Sequence, residues 1–487
     1  MVALGNINGW QPSNGPVTTW MASPASRAAA LTAGRSDIPP TYQRAHHLQK
    51  AYDSKATGRQ LPRLMVVAWD VHGVCDIAAM TTAINAHVRR HDAYHDWFEY
   101  QDGAFVRRMI EDPEAIDLVP VEFGYMNEGQ VRTHALTTTP ETLQWDCFTF
   151  GIVQHAGHFT FYASIDHLHI DGVSAGLIFF DIHLLYHHLA SGGGQVDGEL
   201  APVSSYRDFA VRQHAALDAM TESSTEVQEW IDFAQDADGD WPSFPLPIGD
   251  THGDNTGSFV TVEMLNDTAT EAFDTACRAA GARFVGGMMA CAAMAERELA
   301  GTETFRGFTP YDTRTPGVDA MTVGWFASLF PVTVPAASRV FSDAARAAQA
   351  SFDAAKHLAG VPIDRVLELA AAAGIEIKAP KRPLMMLSYM DFRKIPVAAL
   401  WDETNFGTYG DNLNYGEINI WINRHATKTT ITVSYPDNAV ARKSVHRYIA
   451  TLSRAFADAA QTTAEWIEQV AHHANTSDSC VVCTGAN

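Results

Sequence analysis

Positive charge is scarce in this chain: 34 Lys and Arg stand against 56 Asp and Glu over 487 residues, a formal net charge of -22. A deficit of that size argues against nucleic acid as a partner and against simple adhesion to an anionic membrane. Cysteine is equally sparse, with six residues at Cys75, Cys147, Cys277, Cys291, Cys480 and Cys483. The first four sit in apolar contexts that suit buried free thiols, and Cys480-x-x-Cys483 has no second ligand pair. Neither a disulfide framework nor a zinc site is expected. Long apolar runs are missing too. The nearest, Gly176 to Leu189, is broken by Asp181, His183, His187 and His188, short of the ~18 apolar residues that span a bilayer. No basic stretch leads into an apolar one at the start, so no secretory leader is expected. Together these absences predict a soluble, cytoplasmic protein.

What is present is apolar substance. At 46% hydrophobic and 18% charged residues, a chain this long has material for two cores. Residues 1 to about 40, rich in Pro, Ser, Gly and Trp, read as an extended leader packed on a domain. Arg63 to Trp69 reads as a buried strand, and a helix is expected from about Asp76 to Arg90, where Ile77, Met80, Ile84 and Val88 recur at helical spacing. Phe159, Phe161, Ala163 and Ile165 alternate with more polar residues and predict a strand. A helix is expected around Tyr206 to Met220. After the loop-rich stretch Asp236 to Gly257 the pattern restarts, with a strand at Phe259 to Val262 and helices near 269–280 and 285–299. The fold class is α/β, in two domains of similar build: 1–225, then 226–475, with 476–487 as a disordered tail.

One segment carries chemistry. Ser164-Ile165-Asp166-His167-Leu168-His169-Ile170-Asp171-Gly172 follows the 158–163 strand and precedes a long apolar-striped helix. An imidazole at such a turn can face a cleft, and an unperturbed histidine near ~6.5 takes a proton from a hydroxyl at neutral pH. Three readings of it stay open. His167, Asp171 and Gly172 form a general-base motif, His-x-x-x-Asp-Gly. His167, His169 and Asp171 also open a metallo-hydrolase signature, although Gly172 stands where another histidine ligand belongs. Last, the segment also reads as a strand end whose histidines are satisfied by local hydrogen bonds. His183 and His187 share a helix face but lack the Glu of a His-Glu-x-x-His site, so a solvated or interfacial face is expected.

Several segments in order resemble the condensation-domain and chloramphenicol acetyltransferase superfamily: Arg90-His91-Asp92, His167 to Gly172, Tyr311-Asp312-Thr313-Arg314, and Val323-Gly324-Trp325-Phe326 through Val332. Asn85 to Asp92, Leu143 to Phe148, His158 to Ser164, Phe244 to Pro247 and Ser434 to Asn438 are similar to the mycobacterial polyketide-associated (Pap) acyltransferases, which acylate trehalose or sulfated trehalose. The superfamily often has a histidine where Asp166 stands; the catalytic second histidine is His167.

The resemblance implies two chloramphenicol-acetyltransferase-like domains in a V, with an active-site tunnel at their interface. It implies an O-acyltransferase that moves a long acyl chain from a thioester to a trehalose-type hydroxyl. His167 would be the base, and Asp171 would pair structurally with Arg314 beside Gly172. Trp325 is a candidate channel residue or simply core, and Ser388 a candidate donor to the intermediate. No cofactor or metal is implied. The donor is acyl-coenzyme A or a carrier-bound chain, with a polyketide synthase or carrier protein as partner and peripheral contact at the inner face of the plasma membrane. The rivals are an amide-forming condensation enzyme, which the lack of an attached carrier or adenylation segment disfavours, the metal-dependent hydrolase, and a non-catalytic binding protein.

Overall fold

The computed structural model describes residues 3–477, apart from 195–199, 237–240, 251–255, 337, 396 and 415 and from the side chains beyond 461. Cys480, Cys483 and most of the expected tail lie outside the described residues. The described chain forms two lobes, each an open sheet backed by helices.

The first lobe holds a seven-stranded sheet in the order Ala3–Asn6, Gly407–Gly410, Leu64–His72, His158–Asp166, Phe148–Gln154, Gly15–Ala22, Leu118–Met126. His158–Asp166 is central and pairs antiparallel with Leu64–His72 and Phe148–Gln154. Phe159, Phe161, Ala163 and Ile165 enter the larger core with Ile178, Phe179 and Ile182 of the helix Gly172–Ala190. Tyr162, on the opposite face, packs with Trp10 and Val17. The strand is therefore buried on both faces, where alternation alone suggested one. The helix Gly172–Ala190 is the one described element long and apolar enough to cross a membrane, and here it is the core helix of the lobe.

The expected leader is part of this sheet. Gly15–Ala22 pairs with two neighbours, and fully buried Trp20 donates to Thr81 Oγ1 at 2.8 Å. The Pro and Gly content around it masked a short strand whose Val17-Thr18-Thr19-Trp20 run has strand character.

The second lobe carries a six-stranded sheet in the order Gly257–Leu265, Thr429–Pro436, Ile418–Arg424, Met385–Asp391, Thr304–Asp312, Ala327–Pro335. Its core runs from Leu217 to Ala460. The two halves exchange chain. Phe392, Trp401 and Phe406 join the first lobe's core, and Gly407–Gly410 is inserted between Ala3–Asn6 and Leu64–His72. Gly176 makes room for this crossing segment, since a Cβ there would lie 2.6 Å from Ile395 Cγ2.

One buried charge in the second lobe carries a prediction. Glu296, on the helix Phe284–Ala300, lies beside Tyr448, and its Oε1 has no hydrogen-bond partner. Burial pushes its carboxyl up from 4.5 to about 8. The folded chain therefore holds this proton up to a higher pH than the unfolded chain, and stability falls as pH rises between those values. Glu296→Gln is expected to raise stability at pH 7 by about 2–3 kcal/mol, with the gain gone at pH 4. Urea melts of both proteins at the two pH values check it.

Candidate active site at the seam between the lobes

The strand His158–Asp166 ends in a single 3-10 turn, His167–His169, and the helix Gly172–Ala190 begins three residues later. Two carboxylates bracket the turn, and each has a different task. Asp166 caps it: Oδ1 accepts from Leu168 N at 3.0 Å and from His47 Nε2 at 2.8 Å. Its Oδ2 accepts from Thr142 Oγ1 at 2.7 Å and from Arg63 at 3.1 Å. Burial alone would raise this carboxyl, but His47, Arg63 and Thr142 outweigh it and hold it well below the usual range. The turn is tied from outside as well. His167 N donates to Arg63 O at 2.7 Å, and buried Arg44 donates from Nε to Leu168 O at 2.8 Å.

Asp171 caps the helix through Ser174 N at 2.8 Å. Its outer face receives Arg314 of the second lobe, with Nη1 at 3.0 Å from Oδ2 and Nη2 at 3.0 Å from Oδ1. Phe326 N donates to the same carboxylate at 3.0 Å and Ala327 N at 3.3 Å. Both members of the pair are almost fully buried. Burial opposes the Asp171 charge, yet Arg314 and the backbone donors hold its carboxyl below the ordinary range. The carboxylate faces away from His167 and toward the second lobe, the structural place the resemblance implies.

The segment 322–327 is anchored along its length. His91 Nδ1 accepts from Val323 N at 3.3 Å, Ser174 Oγ bonds both Gly324 N and Gly324 O, and Tyr206 donates to Trp325 O at 2.7 Å. Gly324 is required by a close approach, for a Cβ there would stand 2.4 Å from the Tyr206 ring. Held in this way, the Trp325 indole lies 3.9 Å from the His167 ring, centroid to centroid. Trp325 thus packs directly on His167.

His167 itself is half-buried. Its Nδ1 is buried and turned toward its own backbone carbonyl, without a partner in hydrogen-bond geometry. Nε2 has no partner among the described residues and is the atom left to meet a substrate. Burial, reinforced by His47, pushes the imidazole down to about 4. At neutral pH it is an unprotonated base.

The other candidates separate from this cluster. His169 is fully buried and turned away, with Nδ1 2.6 Å from Ala93 O and Nε2 3.2 Å from Cys147 Sγ. Asp171 is occupied by Arg314. The ligand atoms of His167, His169 and Asp171 do not converge, which removes the donor set of the metallo-hydrolase reading. Among the described residues one trio does converge, His87, His91 and Asp181, all within 4.8 Å. Arg90 Nε lies 3.3 Å from the same Asp181 oxygen, so a guanidinium already supplies the countercharge, and His91 spends its other nitrogen on Val323. That trio supports the 322–327 segment. Ser388 is buried on Met385–Asp391, opposite Trp421, and makes no hydrogen bond or ring contact to His167. The four described cysteines are buried and free, and burial raises each thiol, which leaves no thiolate nucleophile among them. The expected face of His183 and His187 is mixed, with His187 exposed and His183 stacked on Phe179 at 4.8 Å.

Arg44, His47 and Thr142 were not singled out from the sequence. They lie far from the motif in the chain, and only the fold brings them to it.

Known proteins are similar to this chain over nearly their whole length. The condensation-domain family model matches residues 63–470. The chain is 42% identical over 466 residues to acyltransferase PapA3 of Mycobacterium tuberculosis, covering 95% of this chain and 97% of that one. It is 43% identical over 465 residues to trehalose-2-sulfate acyltransferase PapA2 of Mycobacterium bovis, covering 95% and 98%. A solved structure of PapA2 acyl transferase superposes with a TM-score of 0.89 at 43% identity, covering 94% of this chain and 99% of that one. Similarity of this depth across both lobes settles the family: the chain belongs to the Pap acyltransferases of the condensation-domain family.

Proposed function

We propose that the protein transfers a long acyl chain from a thioester donor to a hydroxyl of a trehalose-type acceptor, with His167 as general base. The observation that carries this reading is the unpartnered Nε2 of His167, deprotonated at neutral pH and placed at the seam between the lobes. The relatives support the acceptor class, since one of them is a trehalose-2-sulfate acyltransferase at 43% identity.

In this reading Nε2 takes the proton of the acceptor hydroxyl as its oxygen attacks the thioester carbonyl. The oxyanion that forms lies near the N-terminus of the helix Gly172–Ala190, whose first backbone N–H groups and dipole favour negative charge. Collapse breaks the carbon–sulfur bond, and His167 returns its proton to the departing thiolate. An ester and a free thiol result. The transfer is direct and needs no covalent acyl-enzyme. The donor is a coenzyme A thioester or a carrier-bound chain from a polyketide synthase. The reaction is assigned to the cytoplasm, with peripheral contact at the inner membrane face where lipid products partition.

The test is mass spectrometry of the products formed from purified protein, palmitoyl-coenzyme A and either trehalose or trehalose-2-sulfate. One acyl mass gained by the sugar, with free thiol released in equal amount, is the expected result. Acylation of an amine acceptor in place of the sugar, or free fatty acid alone, would overturn the assignment.

A further inference from the structure

We infer that His47 is a positioning residue for the acceptor, its Nδ1 hydrogen-bonding a second hydroxyl of the sugar bound beside His167. The inference rests on the sugar-acceptor reading above and adds a residue that neither the motif nor the catalytic step identifies.

His47 comes from the helix Tyr42–Thr57, 120 positions before His167 in the chain. It is only 5% exposed. Its Nε2 lies 2.8 Å from Asp166 Oδ1, and a carboxylate there holds a ring proton on Nε2. Nδ1 has no hydrogen-bond partner among the described residues and is not one of the buried unpartnered atoms, so it is open at the seam. A side chain this buried that leaves one nitrogen open and unpartnered needs a reason.

The surroundings supply a reason. The His47 ring meets Trp325 edge-on at 5.7 Å and lies 6.3 Å from the His167 ring, which packs on the same indole at 3.9 Å. Three rings therefore converge on one place at the seam, where His47 Nδ1 and His167 Nε2 both lack a partner among the described residues. A hydroxyl bonds an imidazole nitrogen as donor or as acceptor, so a ligand that satisfies both carries two hydroxyls close together. A sugar does so on adjacent ring carbons. The reacting end of a thioester carries none. Asp166 is what makes the arrangement possible: standing where the superfamily often has a histidine, it turns inward and draws an imidazole in from a different helix.

A purely structural role would use Nε2 alone, and this separates the two explanations. His47→Gln keeps an N–H donor for Asp166 and keeps the turn capped, and His47→Ala removes both functions. Steady-state kinetics are measured with palmitoyl-coenzyme A and trehalose, then with a series of monodeoxy trehaloses. In His47→Gln the KM for sugar is expected to rise about tenfold, the scale of one lost hydrogen bond, with the KM for the thioester and the melting temperature unchanged. One deoxy sugar is expected to show the same penalty with the wild-type chain and no further penalty with the variant. An unchanged sugar KM, or a parallel rise for both substrates, overturns the role of His47 while the sugar-acceptor reading stands. Absence of any sugar ester from the wild-type chain overturns that reading and the role together.

Discussion

His167→Ala is expected to lower acyl transfer by about 10²–10⁴-fold, the usual contribution of a positioned general base, with little change in thermal stability. The asymmetry follows from the site. Nδ1 of His167 is buried without a partner and Nε2 bonds to no described residue, so alanine removes no protein hydrogen bond from the side chain. Besides its packing on Trp325, it removes the lone pair that receives the acceptor's proton. Burial holds the imidazole at about 4, which fixes the shape of the pH profile. In the wild-type chain kcat/KM is expected to stay level from pH 8 down to about 5 and to fall below that, where an exposed histidine would begin to fall near ~6.5. Stability follows the same sign: this histidine's contribution is full above its unfolded value and is lost as pH falls toward 4. Single-turnover transfer measured across that range checks both. A variant with near wild-type turnover would remove His167 from the chemistry.

Asp171→Ala and Arg314→Ala are each expected to destabilise the protein by about 3–5 kcal/mol, because each breaks a buried ion pair and leaves buried polar groups unmatched. The stranded group differs. Without Asp171, Arg314 keeps Asp312 at 3.0 Å and Thr322 O, but Phe326 N and Ala327 N lose their acceptor and the segment bearing Trp325 loosens. Without Arg314, the Asp171 carboxylate retains Ser174 N, Phe326 N and Ala327 N, but no cation balances it. The double variant, Asp171→Ala with Arg314→Ala, is expected to lose less than the sum of the two single losses, since the two effects share one interaction. Urea denaturation of the wild-type, single and double variants measures the coupling. Wild-type stability in either single variant, combined with lost activity, would reassign Asp171 from the scaffold to the reaction.

The parts of this molecule legible in its sequence are those written locally. His167, Asp171 and Gly172 lie within six residues, and a strand, a turn and a capped helix follow from that spacing. Arg314 was named through family likeness, and its bidentate bond to Asp171 is what the fold supplies. Trp325 offered no local clue between core and site; the backbone anchors on 322–327 decide it, and they come from His91, Ser174 and Tyr206. Ser388 is placed on a buried strand opposite Trp421, and a serine in an apolar strand carries no information about which way it faces. His47 was invisible for a different reason. A histidine on a polar helix, with His46 beside it, is unremarkable until Asp166 is seen bonded to it.

The strand Gly407–Gly410 bears on how the protein is made. It fills the gap between the chain's first strand and Leu64–His72, and Asp411 just after it accepts from Arg63 N at 2.7 Å and Leu64 N at 3.0 Å. A nascent chain emerging from the ribosome can assemble the neighbouring strands hundreds of residues before this one is available. Until then the lobe bearing His167 carries an open, hydrogen-bond-hungry edge. Synthesis cut short anywhere before residue 407 therefore yields no finished catalytic lobe, only a sheet with a vacancy that another chain can fill.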